Sequence, residues 1–483
     1  MSLRRRAISG GVTLAIGQVA AQGLAFVRNV IIARMLTQED MGVAASLALT
    51  LSLLEMLSDV AADKLLVQAK DGDDPRLQGV VHGVQFLRGC VQAVLLFAMA
   101  WPVAAMFRIP EARWAFQLVA LAPLIRGLAH LDAARLQREL RYKPGVLIEI
   151  LPQALMTAVA WPIANLVGDY GAVLWLVLGQ SAAFVVCTHV VATRPYRWVY
   201  DRVLLARISS FGWPLLVNAF LLFGINQGDK AIVGAGYTMG ELGVYAVAFG
   251  LVAAPVMVLG KLSLAMGLPL LSQVQDVRAD FEARHRLGAQ ALSAAAVLIA
   301  VPLILAGPLL VRAIYGEKYG EAGAYIGWLA AMGAVRCLRM APTVASMALG
   351  DNVNTMIGNA FRSLALLGML WAAAERAPLA WIAIASLAGE VLALVVSMLR
   401  LKSRTGIRAG PMLGTSAIAG GLLALTGLAA NLAPTSQWWS TGVMTACAEV
   451  LAGGVLILAF AEVRRDLLLG LEVLRSPRPR AGA

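Results

Sequence analysis

Eight basic side chains lie inside long apolar stretches of this chain: Arg28, Arg88, Arg126, Lys230, Lys261, Arg336, Arg339 and Arg362. A cation facing lipid at the centre of a bilayer costs on the order of 2.5 to 3.5 kcal/mol by insertion scales, so most of them must face protein or water. The acids available in similar stretches are fewer: Glu55, Asp132, Glu149, Asp229, Glu390 and Glu449, with Asp59 and Asp63 near the end of one run. Arg336 and Arg339 are three apart and share a helix face, which concentrates positive charge that needs an anion. A diphosphate is one such anion, because guanidinium forks match phosphate oxygens bidentately. Asp229 and Lys230 are adjacent and point about 100° apart on a helix, so each needs its own partner on another helix.

The candidate substrate-binding set is therefore Arg28, Arg88, Arg126, Asp229, Lys230, Lys261, Arg336, Arg339 and Arg362. Against that stands a structural reading, in which some form ion pairs or snorkel to headgroups. Glu390 and Glu449 are candidates for binding a coupling ion. Gln18 and Gln22, four apart, suit a sugar path or an interhelical hydrogen bond. His82, His130, His189 and His285 have no metal-ligand spacing, and Cys90, Cys187, Cys337 and Cys447 sit at unrelated spacings in apolar runs. No metal, cofactor or catalytic cluster is expected, and a membrane enzyme would need a large external loop or a His/Asp cluster that the chain lacks.

The elements that carry these charges must be membrane helices. Of 483 residues, 59% are hydrophobic and 14% charged, and the mean hydropathy is +0.75, which excludes a soluble domain. In hydrocarbon every backbone polar group must be satisfied internally, and the alternating strands of a barrel are missing, so helices follow. Apolar runs long enough to cross give an all-α polytopic fold of about 14 transmembrane helices. Six begin near Ala7, Met41, Gln78, Arg113, Gly145 and Gly171, six near Ile208, Leu242, Leu287, Ala322, Val353 and Leu379, and a final pair near Ala409 and Trp438. The first run extends past Arg28 without a clear cleavage site and reads as a retained span. Prolines 255, 302 and 342 fall inside spans as expected kinks.

The net charge of +12 is distributed as short loop clusters, not as one nucleic-acid-binding module. Alternate loops hold 26 Lys and Arg on one side, in clusters such as Arg135 to Lys143 and Arg400 to Arg408. The other side holds 6: Arg34, Arg108, Arg113, Arg312, Lys318 and Arg376. The asymmetry places both termini in the cytoplasm, and the basic loops against anionic headgroups.

The chain also reads as duplicated. Ile31, Thr37, Gly42, Val43 and Ala45 recur as Ile232, Thr238, Gly243, Val244 and Ala246, at a constant offset of 201. At that offset Arg28 aligns with Asp229. The repeat divides the chain into two six-helix lobes, 1–200 and 201–405, around a central cavity, followed by a helix pair at 406–463 and a basic cytoplasmic tail at 464–483. Two-lobed membrane proteins of this kind usually bind substrate where the repeats meet, so the duplication points to transport.

Asp229-Lys230-Ala231-Ile232-Val233-Gly234, Leu242-Gly243-Val244-Tyr245-Ala246, Pro255 and Pro269-Leu270-Leu271-Ser272 resemble the seventh and eighth helices of bacterial polysaccharide flippases. Gln18, Gln22, Ala33-Arg34-Met35-Leu36 and Glu39-Asp40-Met41-Gly42 resemble that family's opening hairpin. These flippases belong to the multidrug/oligosaccharidyl-lipid/polysaccharide exporter superfamily. The resemblance implies translocation of undecaprenyl-diphosphate-linked oligosaccharide repeat units from the cytoplasmic to the periplasmic leaflet of the bacterial inner membrane, for exopolysaccharide synthesis. The implied partners are that lipid-linked oligosaccharide, membrane lipids and the polysaccharide polymerase or export machinery, with no nucleic acid. The competing expectation is an ion-coupled drug or cation antiporter of the same fold. It would need a net acidic chamber, which eight intramembrane bases oppose.

Overall fold

A computed structural model describes residues 3–57, 66, 71–139, 141–406, 409–432 and 438–460. The expected tail at 464–483 and the positions of Asp59 and Asp63 lie outside the described residues. Among the described residues the fold is all helical, with no strand. The first five helices are α1 (Leu3–Met35), α2 (Gln38–Leu57), α3 (Pro75–Met106), α4 (Arg113–Val119) and α5 (Leu121–Gly127). They are followed by α6 (Asp132–Arg138), α7 (Lys143–Val167), α8 (Gly171–Val191), α9 (Arg202–Gly236) and α10 (Met239–Leu262). A π-helical turn, Ser263–Gly267, leads into α11 (Leu268–Ser272), then α12 (Arg278–Leu305) and α13 (Gly307–Tyr315). The remainder is α14 (Ile326–Ala348), α15 (Asn352–Ser363), α16 (Ala365–Ala374), α17 (Leu379–Thr405), α18 (Ala409–Leu432) and α19 (Trp438–Ala459).

Eight spans among the described residues are long and apolar enough to cross a membrane, and a ninth results if one bent pair counts as a span. Shorter apolar helices occupy Gly414–Leu428 and Val443–Ala459. The expected polytopic all-α class is borne out, and the exact count of fourteen is not confirmed among the described residues. One reason is visible in the span expected to begin near Arg113. It is broken, with Pro110–Gly127 and Asp132–Arg138 meeting at 49°, and the second piece carries a buried ion pair between Asp132 and Arg135. Large apolar side chains such as Leu166, at 82% exposure, and Val190, at 78%, turn outward as lipid-facing surface would.

Contacts divide the chain into two compact units. The first comprises Met1–Ala254, Arg312–Ala322 and Leu366–Ile382; the second comprises Pro255–Val311, Gly323–Ala365 and Ala383–Ala483. The first unit is cored by Val43, Leu47, Leu96, Phe107, Phe116 and Leu174, with a second cluster where α1 meets α7 through Ile32, Leu36, Met156 and Ala160. In the second unit α12 packs on α14, α18 and α19 around Phe281, Val297, Leu338, Val344 and Leu394.

The duplicated residues have a local physical role. Thr37 Oγ1 and Asp40 Oδ2 are 2.5 Å apart, and the Asp40 N–H donates to Thr37 Oγ1 at 3.1 Å. Thr238 Oγ1 donates to Glu241 Oε2 at 2.8 Å, and the Glu241 N–H donates to Thr238 Oγ1 at 3.2 Å. Both are capping boxes that satisfy the orphan N–H groups opening α2 and α10. The repeated glycines then meet. A Cβ on Gly42 would lie 1.8 Å from Met239 O, and one on Gly243 would lie 2.0 Å from Gln38 O, so only glycine allows these two helix starts to cross backbone to backbone. The same corner of the first unit is locked by Lys318, whose Nζ donates to the carbonyls of Arg34, at 3.0 Å, and Leu36, and by Tyr319, whose hydroxyl donates to Ala33 O at 3.1 Å. These are the unpaired carbonyls at the end of α1, where a cation is also favoured by the helix dipole.

Candidate functional site

The strongest gathering of charge is in the second unit. α14 carries Arg336 and Arg339 one turn apart on one face, α15 carries Arg362 in its last turn, and α17 carries Glu390. All three guanidiniums converge on the one carboxylate. Arg336 Nε donates to Glu390 Oε1 at 2.7 Å, Arg362 Nε lies 2.8 Å from Oε1, and Arg339 Nε donates to Oε2 at 3.1 Å. Glu390 is 1% exposed, Arg339 and Arg362 are each 10% exposed, and Arg336 is 22% exposed. Arg339 Nη1 also donates to Asn359 Oδ1 at 3.4 Å.

Close helix packing is what allows this convergence: Gly389, next to the carboxylate, would with a Cβ lie 2.6 Å from Ala365 Cβ and 2.9 Å from Arg362 O. The anion that Arg336 and Arg339 require is thus supplied from within the chain, and Glu390 is an ion-pair hub rather than a solitary carboxylate awaiting an ion. One carboxylate cannot balance three guanidiniums. The cluster keeps two net positive charges, and the η nitrogens of Arg336, the most exposed member, are without a hydrogen-bond partner among the described residues.

The remaining candidates in the second unit and the first are more dispersed. Lys261, near the end of α10, is half-buried and makes no hydrogen bond or ion pair among the described residues. In the first unit, Arg88 Nη2 donates to the Glu55 carbonyl at 3.0 Å, and Arg126 Nη1 donates to the Glu55 carboxylate at 3.4 Å while its guanidinium sits 5.4 Å from the centre of the Phe184 ring. α3 and α5 therefore bring two of the expected cations to one end of α2. Arg28 stands apart from them. Its Nη1 donates to Gln180 Oε1 at 2.6 Å, and Gln180 Nε2 donates to Gln153 Oε1 at 2.7 Å, a polar chain through α1, α8 and α7. Gln153 Nε2, at the end of that chain, is buried without a hydrogen-bond partner.

Asp229 and Lys230 divide their partners as adjacency on a helix requires. The Asp229 carboxylate accepts from the Tyr245 hydroxyl at 3.0 Å and from the Lys230 N–H at 2.8 Å. Lys230 Nζ donates to Gln227 Oε1 at 3.0 Å and lies 4.5 Å from the Phe249 ring centre. Tyr245 and Phe249 are both on α10, one turn apart, so α10 presents an aromatic face to both charges.

Spacing in the sequence did not reveal a second polar assembly in the first unit. His82, His130 and His189 come together around Tyr196, with ring centres 4.8 Å apart for His82 and His130 and 5.4 Å for His130 and His189. His82 Nδ1 lies 3.2 Å from Arg197 O and His130 Nε2 lies 2.9 Å from Arg194 O, where an imidazole N–H donates to each carbonyl. The other nitrogens accept from the backbone: the Leu131 N–H reaches His82 Nε2 at 3.2 Å, and the Asp132 N–H reaches His130 Nδ1 at 3.1 Å. Both rings are thereby held neutral, as pins for the connection 192–201. Asp132 completes the anchorage, accepting from Arg135 Nε at 2.6 Å and from the Thr193 N–H at 2.7 Å. Among the described residues no cluster has metal-holding geometry.

The comparisons agree with this architecture. The profile of a family described as "polysaccharide biosynthesis protein" matches residues 31–324. No curated protein matches the sequence. Among solved structures, lipid II flippase MurJ in an inward closed conformation superposes with a TM-score of 0.73 at 13% identity, covering 95% of this chain and 100% of that one. A multidrug resistance MATE family transporter of the MOP superfamily, inward-facing, gives 0.65 at 13% identity, covering 82% and 96%. An outward-facing structure described in the same terms gives 0.56 at 13% identity, covering 83% and 96%. At such identities these likenesses establish the fold.

Proposed function

The chain belongs to the polysaccharide biosynthesis protein family, and from that membership we propose that it is a flippase for undecaprenyl-diphosphate-linked oligosaccharide repeat units. It carries them from the cytoplasmic to the periplasmic leaflet of the bacterial inner membrane for exopolysaccharide assembly, by alternating access, with both termini cytoplasmic. The fold shared with the MurJ flippase supports this reading. The carrying observation is the Arg336, Arg339, Arg362 and Glu390 cluster, whose two excess positive charges suit a diphosphate diester. Such a ligand would be held by guanidinium donors while its polyprenyl tail stays in lipid. Arg28, Arg88, Arg126, Asp229, Lys230 and Lys261 are proposed to supply the further polar contacts along the path. The basic loops contact anionic headgroups, and the polymerase or export machinery receives the product.

The MATE likeness keeps one second reading in view, an ion-coupled drug or cation antiporter. A cation would be repelled by the excess positive charge of the cluster, which favours the flippase. The deciding experiment is deletion of the gene followed by extraction of lipid-linked oligosaccharides. Accumulation of an undecaprenyl-diphosphate-linked repeat unit, relieved by the parent gene and not by Arg336→Gln, is the expected result. If no intermediate accumulates and export of a small cation falls instead, the antiporter reading replaces this one.

A further inference from the structure

Two arginines occupy backbone conformations that ordinarily belong to glycine. Arg108 has φ of 58° and Arg376 has φ of 49°, and they are the positive-φ residues other than glycine among those described. Each follows a helix end of the same design. After α3, the Arg108 N–H donates to Ala105 O at 3.1 Å and the Ile109 N–H reaches back to Ala104 O at 2.9 Å. After α16, the Arg376 N–H donates to Ala373 O at 3.2 Å and the Ala377 N–H reaches back to Ala372 O at 2.8 Å. This backbone closure needs a left-handed residue and no side chain, and a Cβ there crowds the neighbouring carbonyl. Glycine would close both helices with less strain.

What the two side chains share is a location. Both line one cleft of about 470 Å³ in the first unit, together with Phe107, Tyr237, Thr238 and Glu241. Both are exposed, and neither makes an ion pair or side-chain hydrogen bond among the described residues. The carboxylate in the cleft, Glu241, has Oε2 engaged by the Thr238 N–H at 2.9 Å and the Thr238 hydroxyl at 2.8 Å. These arginines are also two of the six basic residues on the Lys/Arg-poor side of the chain, so topology does not account for them.

We propose that this cleft binds a compact oxyanion, a carboxylate or a phosphate, between the guanidiniums of Arg108 and Arg376. Each guanidinium offers a planar fork of donors that matches either anion, and both arginines line the same cleft. A carboxylate on an acidic sugar and the phosphate of a lipid headgroup present the same chemistry.

The test measures binding on the purified full chain, without transport, so its failure leaves the flippase reading standing and the failure of that reading leaves this one standing. The soluble probes are trigalacturonate and, as the neutral control, maltotriose, in a neutral detergent. The lipid probe is phosphatidylglycerol against phosphatidylcholine, in nanodiscs. Binding of trigalacturonate but not maltotriose identifies a sugar carboxylate, and selective retention of phosphatidylglycerol identifies a headgroup. In either case Arg108→Gly with Arg376→Gly weakens the binding at least about tenfold, as loss of charge-assisted forks should. The same double variant melts at or above the parent temperature, because glycine suits both caps. Anion-independent binding, unchanged affinity in the double variant, or a fall of several degrees in its melting temperature would each overturn the proposal.

Discussion

Replacing Glu390 by glutamine removes the one carboxylate that three guanidiniums share, while keeping shape and hydrogen-bonding capacity. The consequence can be worked from the geometry. The three Nε to oxygen distances are 2.7, 2.8 and 3.1 Å, and the carboxylate is 1% exposed, so screening by water is slight. At an effective dielectric near 20, each unit-charge pair about 4 Å apart contributes roughly 4 kcal/mol of attraction, partly cancelled by repulsion among the arginines. Removal of one partner from a buried ion pair typically costs about 3 to 5 kcal/mol, because an uncompensated charge is left behind. For 483 residues the unfolding entropy is about 1 kcal/mol/K, so the expected fall in melting temperature is about 3 to 5 °C. Intrinsic fluorescence of the 11 tryptophans during heating measures it in detergent. A double-mutant cycle sharpens the claim. Arg336→Gln in the Glu390→Gln background should recover part of the loss, since it removes a charge that has become unpaired. A melting temperature for Glu390→Gln within 1 °C of the parent, or strict additivity in the double variant, would refute the hub.

Gly42→Ala and Gly243→Ala each force a Cβ to within about 2 Å of a backbone carbonyl, and both should lose complementation of a deletion strain while still reaching the membrane by immunoblot. Thr37→Ala and Thr238→Ala remove equivalent caps and should each cost about 1 kcal/mol, read as similar small falls in melting temperature for the two repeats. Asp132→Asn leaves Arg135 short of its buried partner and loosens Thr193, so trypsin should cut after Arg197 several-fold faster than in the parent; unchanged cleavage would count against the anchorage.

Much of the fold was legible in the chain because its causes are local. Apolar runs define membrane helices, and Thr37 to Asp40 and Thr238 to Glu241 already contain the capping chemistry that starts α2 and α10. The separation of Asp229 from Lys230 followed from helical geometry alone, and their partners Tyr245 and Phe249 lie where that geometry sends them. Legibility failed where a break in a helix serves tertiary packing. The span near Arg113 is bent by 49° ahead of Asp132, whose carboxylate accepts from the Thr193 N–H of the distant connection at 192–201.

By itself, the sequence determined that this is a helical membrane protein with cations stranded in its spans, and that Arg336 and Arg339 share a face. Only the tertiary structure decided what answers them. Glu390 is 54 and 51 residues away from those two arginines, and nothing in its neighbours distinguishes it from Glu449. Likewise His82, His130 and His189 meet through edge-to-face ring contacts and backbone carbonyls that no spacing rule encodes, and Arg108 and Arg376 share a cleft from positions far apart in the chain. Hydropathy and helix period act between near neighbours in sequence, whereas charge pairing acts through space, so packing alone selects which charges meet.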